Sequence, residues 1–474
     1  MKNKTTRRDF LKTSGMCLLA APLVGSLSNI STVSADTKKS AIKKNISSVQ
    51  TSSLVLNIKD FGALGDGLTK DTRAIQDTVD RCHALNGGTV LIPAGTYFTG
   101  AIQLRSGVFL RLEKDSVLLG TPDFDDYPVM QVRWEGKWIK GHTALIYAVD
   151  AENIGIKGPG KIAGNHALGG RPSNDNPLRH PSLIEPINCR NLVFEDFSTD
   201  YFRMWCIHPT YCENLQFRNL YIRSTGGNGD GIDIDSCKHV VIEGCDIETG
   251  DDCIAIKSGR GMEANTLMKT TEDVHISNCK FSDTIFACIG IGSETSGGVR
   301  DVTIEHCKFV NTNTHAIYIK SRPGRGAFIE NIKADDLDVS GMKGGFLRFN
   351  ILGSGLQDQV PVPGFDGIPT VRNFSFTNVR VNDVNDLVDG TSVHPDKPLD
   401  GLVLKNISGE SKRGIRLANI RNADISNINV SVMDGPLLGV CNVYGKGFDK
   451  ADNIKFPHEI KPPIPEPEPA YQLM

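Results

Sequence analysis

A short alternation of apolar and polar positions recurs along most of this 474-residue chain. Each copy begins with a polar residue, alternates apolar residues, and reaches Asn, Asp or Gly just before another apolar residue. The copies begin at Asn153, Asn191, Asn214, His239, Asp273, Asp301, Asn331, Asn373, Gly401 and Asn422. A period of two predicts strands, and Asn, Asp or Gly at one fixed place predicts a tight bend with left-handed backbone.

Copies in the middle of the chain begin roughly 23 to 25 residues apart. That interval is too short for two parallel strands with a helix between them, but it suits three short strands and three turns per coil. We therefore predict an all-β fold, a right-handed parallel β-helix whose stacked coils bury one core. Two longer intervals predict loops at 258–269 and 344–369, which would form the walls of a cleft.

The β-helix domain is predicted to span residues 54–450. Asp71 is a candidate N-cap for a helix over 71–80, which would cover the open end of the solenoid. The proline-rich segment 451–474 is predicted to be an extended tail.

The N-terminal residues are predicted to form a targeting signal and a linker, and not part of the folded domain. Arg7-Arg8 followed by Phe10-Leu11-Lys12 resembles a twin-arginine export signal over residues 1–35, and 36–53 reads as a flexible linker. The apolar stretch within this signal is too short for a stable membrane span. We expect a periplasmic or extracellular protein that is a monomer.

Composition adds two constraints. The formal net charge is −3, so there is no basic excess for nucleic acid. Three of the 12 cysteines occupy the position after the predicted bend, where other copies carry Leu, Val, Ile or Phe. This pattern predicts buried thiols that behave as small apolar side chains, with disulfides between coils as the alternative.

The candidate chemistry is a group of carboxylates. Asp230, in Asn228-Gly229-Asp230, precedes the Asp251-Asp252 pair by about one repeat. If one repeat is one coil, these side chains lie about 4.8 Å apart along the rod. Crowded carboxylates hold one proton to higher pH, which provides an acid and a base in one site. Turn formation or calcium binding would also explain Asp residues at such bends.

At this point the chain resembles glycoside hydrolase family 28, the polygalacturonases and related pectin hydrolases. The resemblance spans nearly all of 55–450. The motifs that carry it are Trp205-Cys206-Ile207-His208-Pro209, Asn228-Gly229-Asp230, Gly250-Asp251-Asp252-Cys253, Ile291-Gly292-Ser293-Glu294 and Ile319-Lys320. Three positions depart from the family pattern: Gly229 stands where threonine is usual, Ala287-Cys288 where a histidine is usual, and Tyr318 where arginine is usual.

The resemblance implies an inverting hydrolase that cleaves α-linked galacturonic acid bonds without a cofactor or metal. Asp251 would protonate the leaving oxygen, and Asp230 and Asp252 would activate water. An acid–base separation of roughly 6.5–9.5 Å would leave room for that water.

A uronate substrate carries carboxylates, which basic side chains bind. Lys320 and Arg322 are therefore predicted to bind substrate, Arg322 in place of the arginine missing at Tyr318. Further candidates for substrate contact are Arg325, Asn228 and Glu294. Lys257 is interpreted as an outward-facing strand residue, with substrate contact as the alternative. Trp205 and His208 are interpreted as core or supporting residues.

The substrate would be homogalacturonan or rhamnogalacturonan, as a polysaccharide or as an oligogalacturonide, with exo action if loops close one end of the cleft. Two alternatives stay open. One is a calcium-dependent pectate lyase on the same fold, and the other is a β-helix that binds polysaccharide without catalysis.

Overall fold

The structure is a computed structural model that describes residues 53–168, 172, 177–202, 204–224 and 226–466. The predicted export signal and nearly all of the linker lie outside these residues. Within them the chain forms a parallel β-helix, and its two α-helices are α1, Thr72–Ala84, and α2, Gly261–Leu267. Short 3-10 helices cover Ile58–Phe61, Phe124–Asp126, His166–Leu168 and Phe365–Gly367.

Three parallel sheets run along the rod, and most coils contribute one strand to each sheet. Between β13 and β18 the coil joins Sheet 1 only through isolated bridges at Ile207 and Thr210. Sheet 1 contains β5 (Ile102–Gln103), β10 (Ile146–Val149), β13 (Ile184–Ile187), β18 (Ile232–Asp235), β21 (Ile254–Lys257), β24 (Ile289–Ile291) and β26 (His315–Lys320). Sheet 2 contains β1 (Val55–Asn57), β3 (Gly88–Ile92), β6 (Val108–Leu112), β11 (Glu152–Lys157), β14 (Arg190–Glu195), β16 (Glu213–Arg218), β19 (Lys238–Glu243) and β22 (Thr271–Ser277).

Sheet 3 contains β2 (Asp66–Lys70), β4 (Gly95–Thr99), β7 (Ser116–Gly120), β12 (Lys161–Ala163), β15 (Ser198–Asp200), β17 (Tyr221–Arg223), β20 (Asp246–Glu248) and β23 (Lys280–Ser282). Towards the C-terminus the strands are long and pass from one sheet to the next: β25 (Val299–Thr312), β27 (Phe328–Asn350), β28 (Thr370–Ser392) and β29 (Leu399–Lys446). An antiparallel hairpin, β8 (Val129–Trp134) with β9 (Lys137–His142), lies beside the coils, and β30 (Asp452–Asn453) pairs with β29.

The copies of the sequence repeat form the strands of Sheet 2, and equivalent positions of successive copies pair with one another. Leu192 pairs with Leu215, which pairs with Val240, and the series continues through Val274, Val302, Ile332, Phe374 and Leu402. These side chains are almost completely buried and form part of one core that extends along the rod. The predicted right-handed parallel β-helix is therefore confirmed.

The predicted left-handed bend ends each Sheet 2 copy, with φ +50° at Asn219, for example. A second left-handed residue, which was not predicted, begins each copy, with φ +59° at Asn214. The Asn214 side-chain amide donates to Asn191 on the preceding coil at 3.0 Å, and Asn219 donates to Asp196 at 3.0 Å. Such ladders satisfy the polar groups of the bends while they fix the register between coils.

The cysteines are free thiols, as predicted. Of the 11 in the described residues, ten are buried and Cys441 is partly buried. Cys245, Cys279 and Cys307 occupy the inward position after the bend, with exposed fractions of 2% or less.

Helix α1 covers the N-terminal end of the core with Ile75, Val79 and Cys82. Asp71 occupies the N-cap position, but its carboxylate does not cap the helix. It accepts hydrogen bonds from the backbone N–H groups of Leu64 and Gly65 instead, at 2.7 and 3.0 Å. Asp71 therefore anchors the preceding turn to the start of the helix.

The long insertions differ in part from the prediction. Segment 258–269 contains α2 and is not an irregular loop. The second insertion begins later than predicted, because residues 344–350 continue β27 and pair with β28, so only 351–369 leaves the solenoid.

The tail carries only the two-residue strand β30 and is otherwise irregular as far as residue 466. It contacts the rod again, because His458 Nε2 lies 2.8 Å from Ser392 Oγ and the Glu466 carboxylate lies 3.2 Å from Arg322. No helix in the described residues is long and apolar enough to cross a bilayer.

Candidate active site

The outer surface of Sheet 1, flanked by segments 258–270 and 351–369, is called the trench below. Asp230 immediately precedes β18, and Asp251 and Asp252 immediately precede β21, which is the adjacent strand of the sheet. The backbone N–H of Gly231 donates to the carbonyl of Asp252 at 3.0 Å. The two sequence motifs are therefore joined side by side, one coil apart.

A sharp bend directs both members of the Asp251-Asp252 pair towards the same site. The backbone N–H of Asp252 donates to the Asp251 carboxylate at 3.0 Å, and Thr249 Oγ1 donates to the Asp251 carbonyl at 2.7 Å. A Cβ at Gly250 would lie 2.1 Å from the carbonyl oxygen of Gly226, so only glycine fits at the start of this bend.

The three carboxylates converge. Asp230, Asp251 and Asp252 each contribute one oxygen to a set in which all oxygens lie within 4.8 Å of one another. Asp230 and Asp252 are nearly buried, with exposed fractions of 4% and 2%, whereas Asp251 is partly exposed.

This closest approach is shorter than the separation of roughly 6.5–9.5 Å expected for an inverting acid–base pair. The expected spacing is therefore wrong for this site. One water that donates to two oxygens at about 2.8 Å each spans about 4.5 Å, so a water still fits between two of these carboxylates.

Burial and mutual repulsion shift the proton affinities. Burial raises the pKa of Asp230 well above its usual range, and the nearby Asp233 and Asp251 carboxylates add to the rise. Burial also raises the pKa of Asp252, although Lys320 opposes the shift. The buried side of the site therefore retains a proton more readily than isolated aspartates would.

Two lysines compensate the negative charge. Lys320 Nζ lies 2.5 Å from Asp252 Oδ2, and Lys257 Nζ lies 2.6 Å from Asp233 Oδ1 and 3.8 Å from Asp230 Oδ2. Burial disfavours the charge of both ammonium groups, but the adjacent carboxylates outweigh it and raise both pKa values. The lysines therefore stay charged.

Lys257 follows the core residue Ile256 and faces outward from its strand, as interpreted, and this places it inside the site. Lys257 is 5% exposed, and its Nζ lies 3.5 Å from the centroid of the Trp205 ring. Trp205 is thus a supporting residue, as predicted, since it packs against the lysine.

Gly290 leaves the space that Lys320 and Asp252 occupy. It lies on β24, between the strands of these two residues, and a Cβ there would lie 2.4 Å from Asp252 Oδ2 and 2.9 Å from Lys320 Nζ. The absence of a side chain at position 290 therefore permits an ion pair across two coils.

Sequence reasoning missed Asp233. It is fully buried on β18, and burial raises its pKa to about 6, against the opposing effect of Lys257. The alternation in Ile232-Asp233-Ile234-Asp235 was the available signal, because aspartates between core isoleucines must face out of the core into the trench.

His208 is fully buried and has a supporting position, as predicted. Its Nδ1 lies 3.2 Å from the Glu185 carboxylate, which forms two hydrogen bonds with Arg179 at 2.7 and 2.8 Å. These residues form a buried network on the coils that precede the carboxylates.

The other predicted substrate ligands lie in different surroundings. The Asn228 backbone N–H donates to Asp251 Oδ2 at 3.3 Å, which places Asn228 in the site. Glu294 is 7% exposed. Burial raises its pKa, but the positive charges of Lys257 and Arg325 outweigh this effect, so the pKa lies below its usual value. Asn228 and Glu294 therefore remain close to the lysines and carboxylates.

Arg325 does not face the trench. It is fully buried, it is paired with Asp358, and its Nε donates to the Ser293 carbonyl at 3.1 Å. Its predicted contact with substrate is contradicted by this geometry, because Arg325 instead fastens segment 351–369 to the rod. Arg322 is 17% exposed and bonds the Gly355 carbonyl at 2.5 Å, so it also holds this segment.

The arrangement provides a proton donor, acceptors for a water proton, and ammonium groups that attract an acidic sugar. The same three aspartates are also the carboxylate cluster in the described residues that could hold a cation. Lys257 and Lys320 compete with such a cation because they already place positive charge beside the oxygens.

Comparisons with known proteins agree with this geometry. The family model described as "Glycosyl hydrolases family 28" matches residues 82–347, more than half of the chain. A probable polygalacturonase of Vitis vinifera is 27% identical over 420 residues, which cover 86% of this chain and 84% of that protein.

Two further proteins are similar. An exo-poly-alpha-D-galacturonosidase of Dickeya chrysanthemi is 26% identical over 332 residues, covering 57% of this chain and 53% of that protein. The crystal structure of a hyperthermoactive exopolygalacturonase from Thermotoga maritima superimposes with a TM-score of 0.71 at 25% identity, covering 84% of this chain and 96% of that one. The chain therefore belongs to glycosyl hydrolases family 28 and is an O-glycosyl hydrolase.

Proposed function

We propose that the protein hydrolyses α-linked galacturonic acid bonds in pectic polysaccharide or oligogalacturonides, from a chain end. The observation that carries this proposal is the convergence of Asp230, Asp251 and Asp252 within 4.8 Å, with Lys320 at 2.5 Å from Asp252. The names of the Dickeya and Thermotoga relatives support exo action, and the Vitis relative supports a polygalacturonan substrate.

In the proposed reaction, the Asp251 carboxyl group donates its proton to the glycosidic oxygen as the bond from this oxygen to the anomeric carbon breaks. A water held by Asp230 and Asp252 attacks the anomeric carbon and transfers a proton to one of them. Partial exposure supports Asp251 as the acid, because it is the carboxyl group of the three that substrate reaches most easily.

The raised pKa of Asp230 supports a different assignment, in which Asp230 holds the proton. A leaving-group experiment distinguishes the two residues. An aryl α-galacturonide releases a phenolate that needs little protonation, so the variant that lacks the acid should keep activity on it. We expect Asp251→Asn to lose far more activity on polygalacturonate than on the aryl substrate. Asp230→Asn should lose activity on the two substrates by the same factor. The reverse pattern would assign the acid to Asp230.

Hydrolysis and elimination give different products. Wild type should generate reducing ends from polygalacturonate without an unsaturated product that absorbs ultraviolet light, and a chelator should leave the rate unchanged. An unsaturated product that disappears with chelator would establish the calcium lyase alternative. Retention of pectin without new reducing ends would establish a binding protein.

We also propose inversion at the anomeric centre, on the basis of the family resemblance. Proton NMR during the first turnovers should show the β-anomer of the released sugar before mutarotation. Initial formation of the α-anomer would instead indicate a covalent intermediate on one of the closely spaced carboxylates.

Residues 1–35 are proposed to direct export through a twin-arginine route, and the mature protein is proposed to be a monomer. Replacement of both Arg7 and Arg8 by lysine should retain the protein inside the cell, as measured by fractionation. Light scattering after size-exclusion chromatography should give the mass of one chain.

A further inference from the structure

The surface beyond Lys320 carries an arginine cluster that the catalytic group does not use. Along one outward-facing row of the trench, Tyr318 pairs with Arg348, Arg348 with Asp389, and Asp389 with Arg416. These residues lie on successive coils and face the same way as the catalytic carboxylates. The row therefore extends the trench towards the C-terminus.

The charges in this cluster are not balanced. Arg413 forms two hydrogen bonds with Asp386, at 2.6 and 2.8 Å, and Arg416 lies 3.4 Å from Asp386 and 3.6 Å from Asp389. Arg348 is 4.0 Å from Asp389, beyond hydrogen-bond distance. Three guanidinium groups thus lie within 4.0 Å of two carboxylates, with Asp434 acting on Arg413 from farther away, and Arg348 has the weakest partner.

Neighbouring histidines do not change this balance at neutral pH. Burial and the nearby Arg348 together lower the pKa of His315 to about 4, against the opposing effect of Asp389 and Asp386. Burial also lowers the pKa of His458, whose Nε2 lies near the hydroxyl groups of Thr391 and Ser392. Both rings are neutral, so the excess positive charge lies on the arginines.

Arg348 is held by contact with the Tyr318 ring and not by a close ion pair. Its Cζ lies 5.3 Å from the centroid of the Tyr318 ring, and Lys320 Nζ lies 5.6 Å from the same centroid. Its Nε is buried and has no hydrogen-bond partner within the protein, whereas 34% of the side chain as a whole is exposed. Contact with the ring fixes the orientation of the guanidinium group, while about a third of the side chain remains exposed.

We propose that Arg348 binds the carboxylate of a galacturonate unit that lies beyond the scissile bond on the Lys320 side of the site. A guanidinium group on an aromatic ring presents two parallel N–H donors, which match a carboxylate. This proposal rests on the proposed function and names a specificity residue for it. Arg348 thereby selects uronic acids over neutral sugars and over methyl-esterified uronic acids.

Calorimetric titration with trigalacturonate tests this proposal, in the Asp251→Asn background so that the ligand is not cleaved. Addition of Arg348→Gln should weaken binding about 10- to 100-fold, the range for a hydrogen bond between charged groups. Fully methyl-esterified trigalacturonate should bind the two proteins with affinities that agree within about twofold, because the ester has lost the charge that Arg348 recognises. Arg372→Gln is the matched control, since Arg372 pairs with Glu330 on Sheet 2, away from the trench.

Arg348→Lys keeps the charge but not the planar pair of donors, so its affinity should lie between those of arginine and glutamine. If Arg348→Gln does not fold, Arg348→Lys replaces it in the test. Trigalacturonate affinity of Arg348→Lys equal to that of the protein with Arg348 would then overturn the proposal. Unchanged binding of trigalacturonate by folded Arg348→Gln would overturn it, and so would equal weakening for both ligands. Failure of the wild type to hydrolyse any galacturonide would instead overturn the proposed function.

Discussion

Sheets 1 and 2 have the same coil geometry but use their side chains differently. Sheet 2 repeats one pattern from coil to coil, with aliphatic residues inside and Asn ladders at the bends. Sheet 1 keeps the same buried isoleucines, but its outward positions change on every coil, as His208, Asp233, Ala255, Gly290 and Tyr318 show. The comparison teaches that the repeated sheet sets the spacing and the irregular sheet carries the chemistry. Substitutions in the two sheets should therefore separate stability from turnover.

The largest effect is expected at the catalytic carboxylates of Sheet 1. Asp251→Asn removes the proposed acid and should lower kcat on polygalacturonate about 100- to 10,000-fold, the range for general acid catalysis. Its melting temperature should stay close to that of wild type, because Asp251 is partly exposed. Asp125→Asn, at an exposed position near the N-terminal end, is the control and should keep full activity. Near-normal turnover of Asp251→Asn would exclude the acid role.

Sheet 2 should give the opposite result. Leu215→Ala empties space between Leu192 and Val240 in the core and should lower the free energy of unfolding by about 3 kcal/mol. The kcat of the folded fraction should match wild type. Denaturant unfolding and initial-rate kinetics measure the two quantities separately. A large loss of kcat without loss of stability would show that the two sheets are not separable in this way.

Gly290→Ala adds a single methyl group to Sheet 1. The new Cβ would overlap Asp252 Oδ2 and Lys320 Nζ, so the ion pair must move and kcat/KM should fall about 100-fold. Gly353→Ala is the control, because an added Cβ there has no atom within 4 Å. Equal activity of the two variants would mean that the ion pair does not position the catalytic group.

A smaller effect is expected from the buried Asp233. Its pKa is raised to about 6 in the folded protein, so the folded protein keeps a proton that the unfolded chain loses between pH 4 and 6. The free energy of unfolding should therefore fall as the pH rises through this window, by up to about 3 kcal/mol from Asp233 alone. Groups that face it are Lys257, His208, Asp230 and Asp252.

Asp233→Asn cannot titrate and should show a smaller loss of melting temperature between pH 4 and pH 7 than wild type. The raised pKa of Asp230 acts in the same direction and remains in the variant, so part of the dependence should persist. The same dependence in both proteins would contradict the inferred proton on Asp233.

Most of the fold could be predicted because residues that are adjacent in the sequence define each copy of the repeat. A bend residue such as Asn219 and an inward residue such as Leu220 follow each other directly, so backbone preference and alternation identify them. The Asp230 and Asp251 motifs were also predictable, since one repeat separates them and stacking then brings them together.

What escaped prediction depends on partners far apart in sequence. Lys257 was interpreted as an outward-facing strand residue and Arg325 as a candidate for substrate contact. In the structure Lys257 lies against Trp205, and Arg325 is enclosed with Asp358. Whether a basic side chain meets substrate or a buried carboxylate is decided by how the insertion 351–369 folds back, and no local pattern encodes this. The helix α2 was missed for a similar reason, because its short sequence is held by contacts such as the hydrogen bond from the Gly261 N–H to Ser296 Oγ.

The free cysteine thiols affect what the protein needs in order to mature. Since their sulfur atoms pack as apolar groups and none of the described cysteines is cross-linked, the rod needs no oxidant to reach its final covalent form. The proposed export into an oxidising compartment would therefore not require disulfide formation to complete the fold.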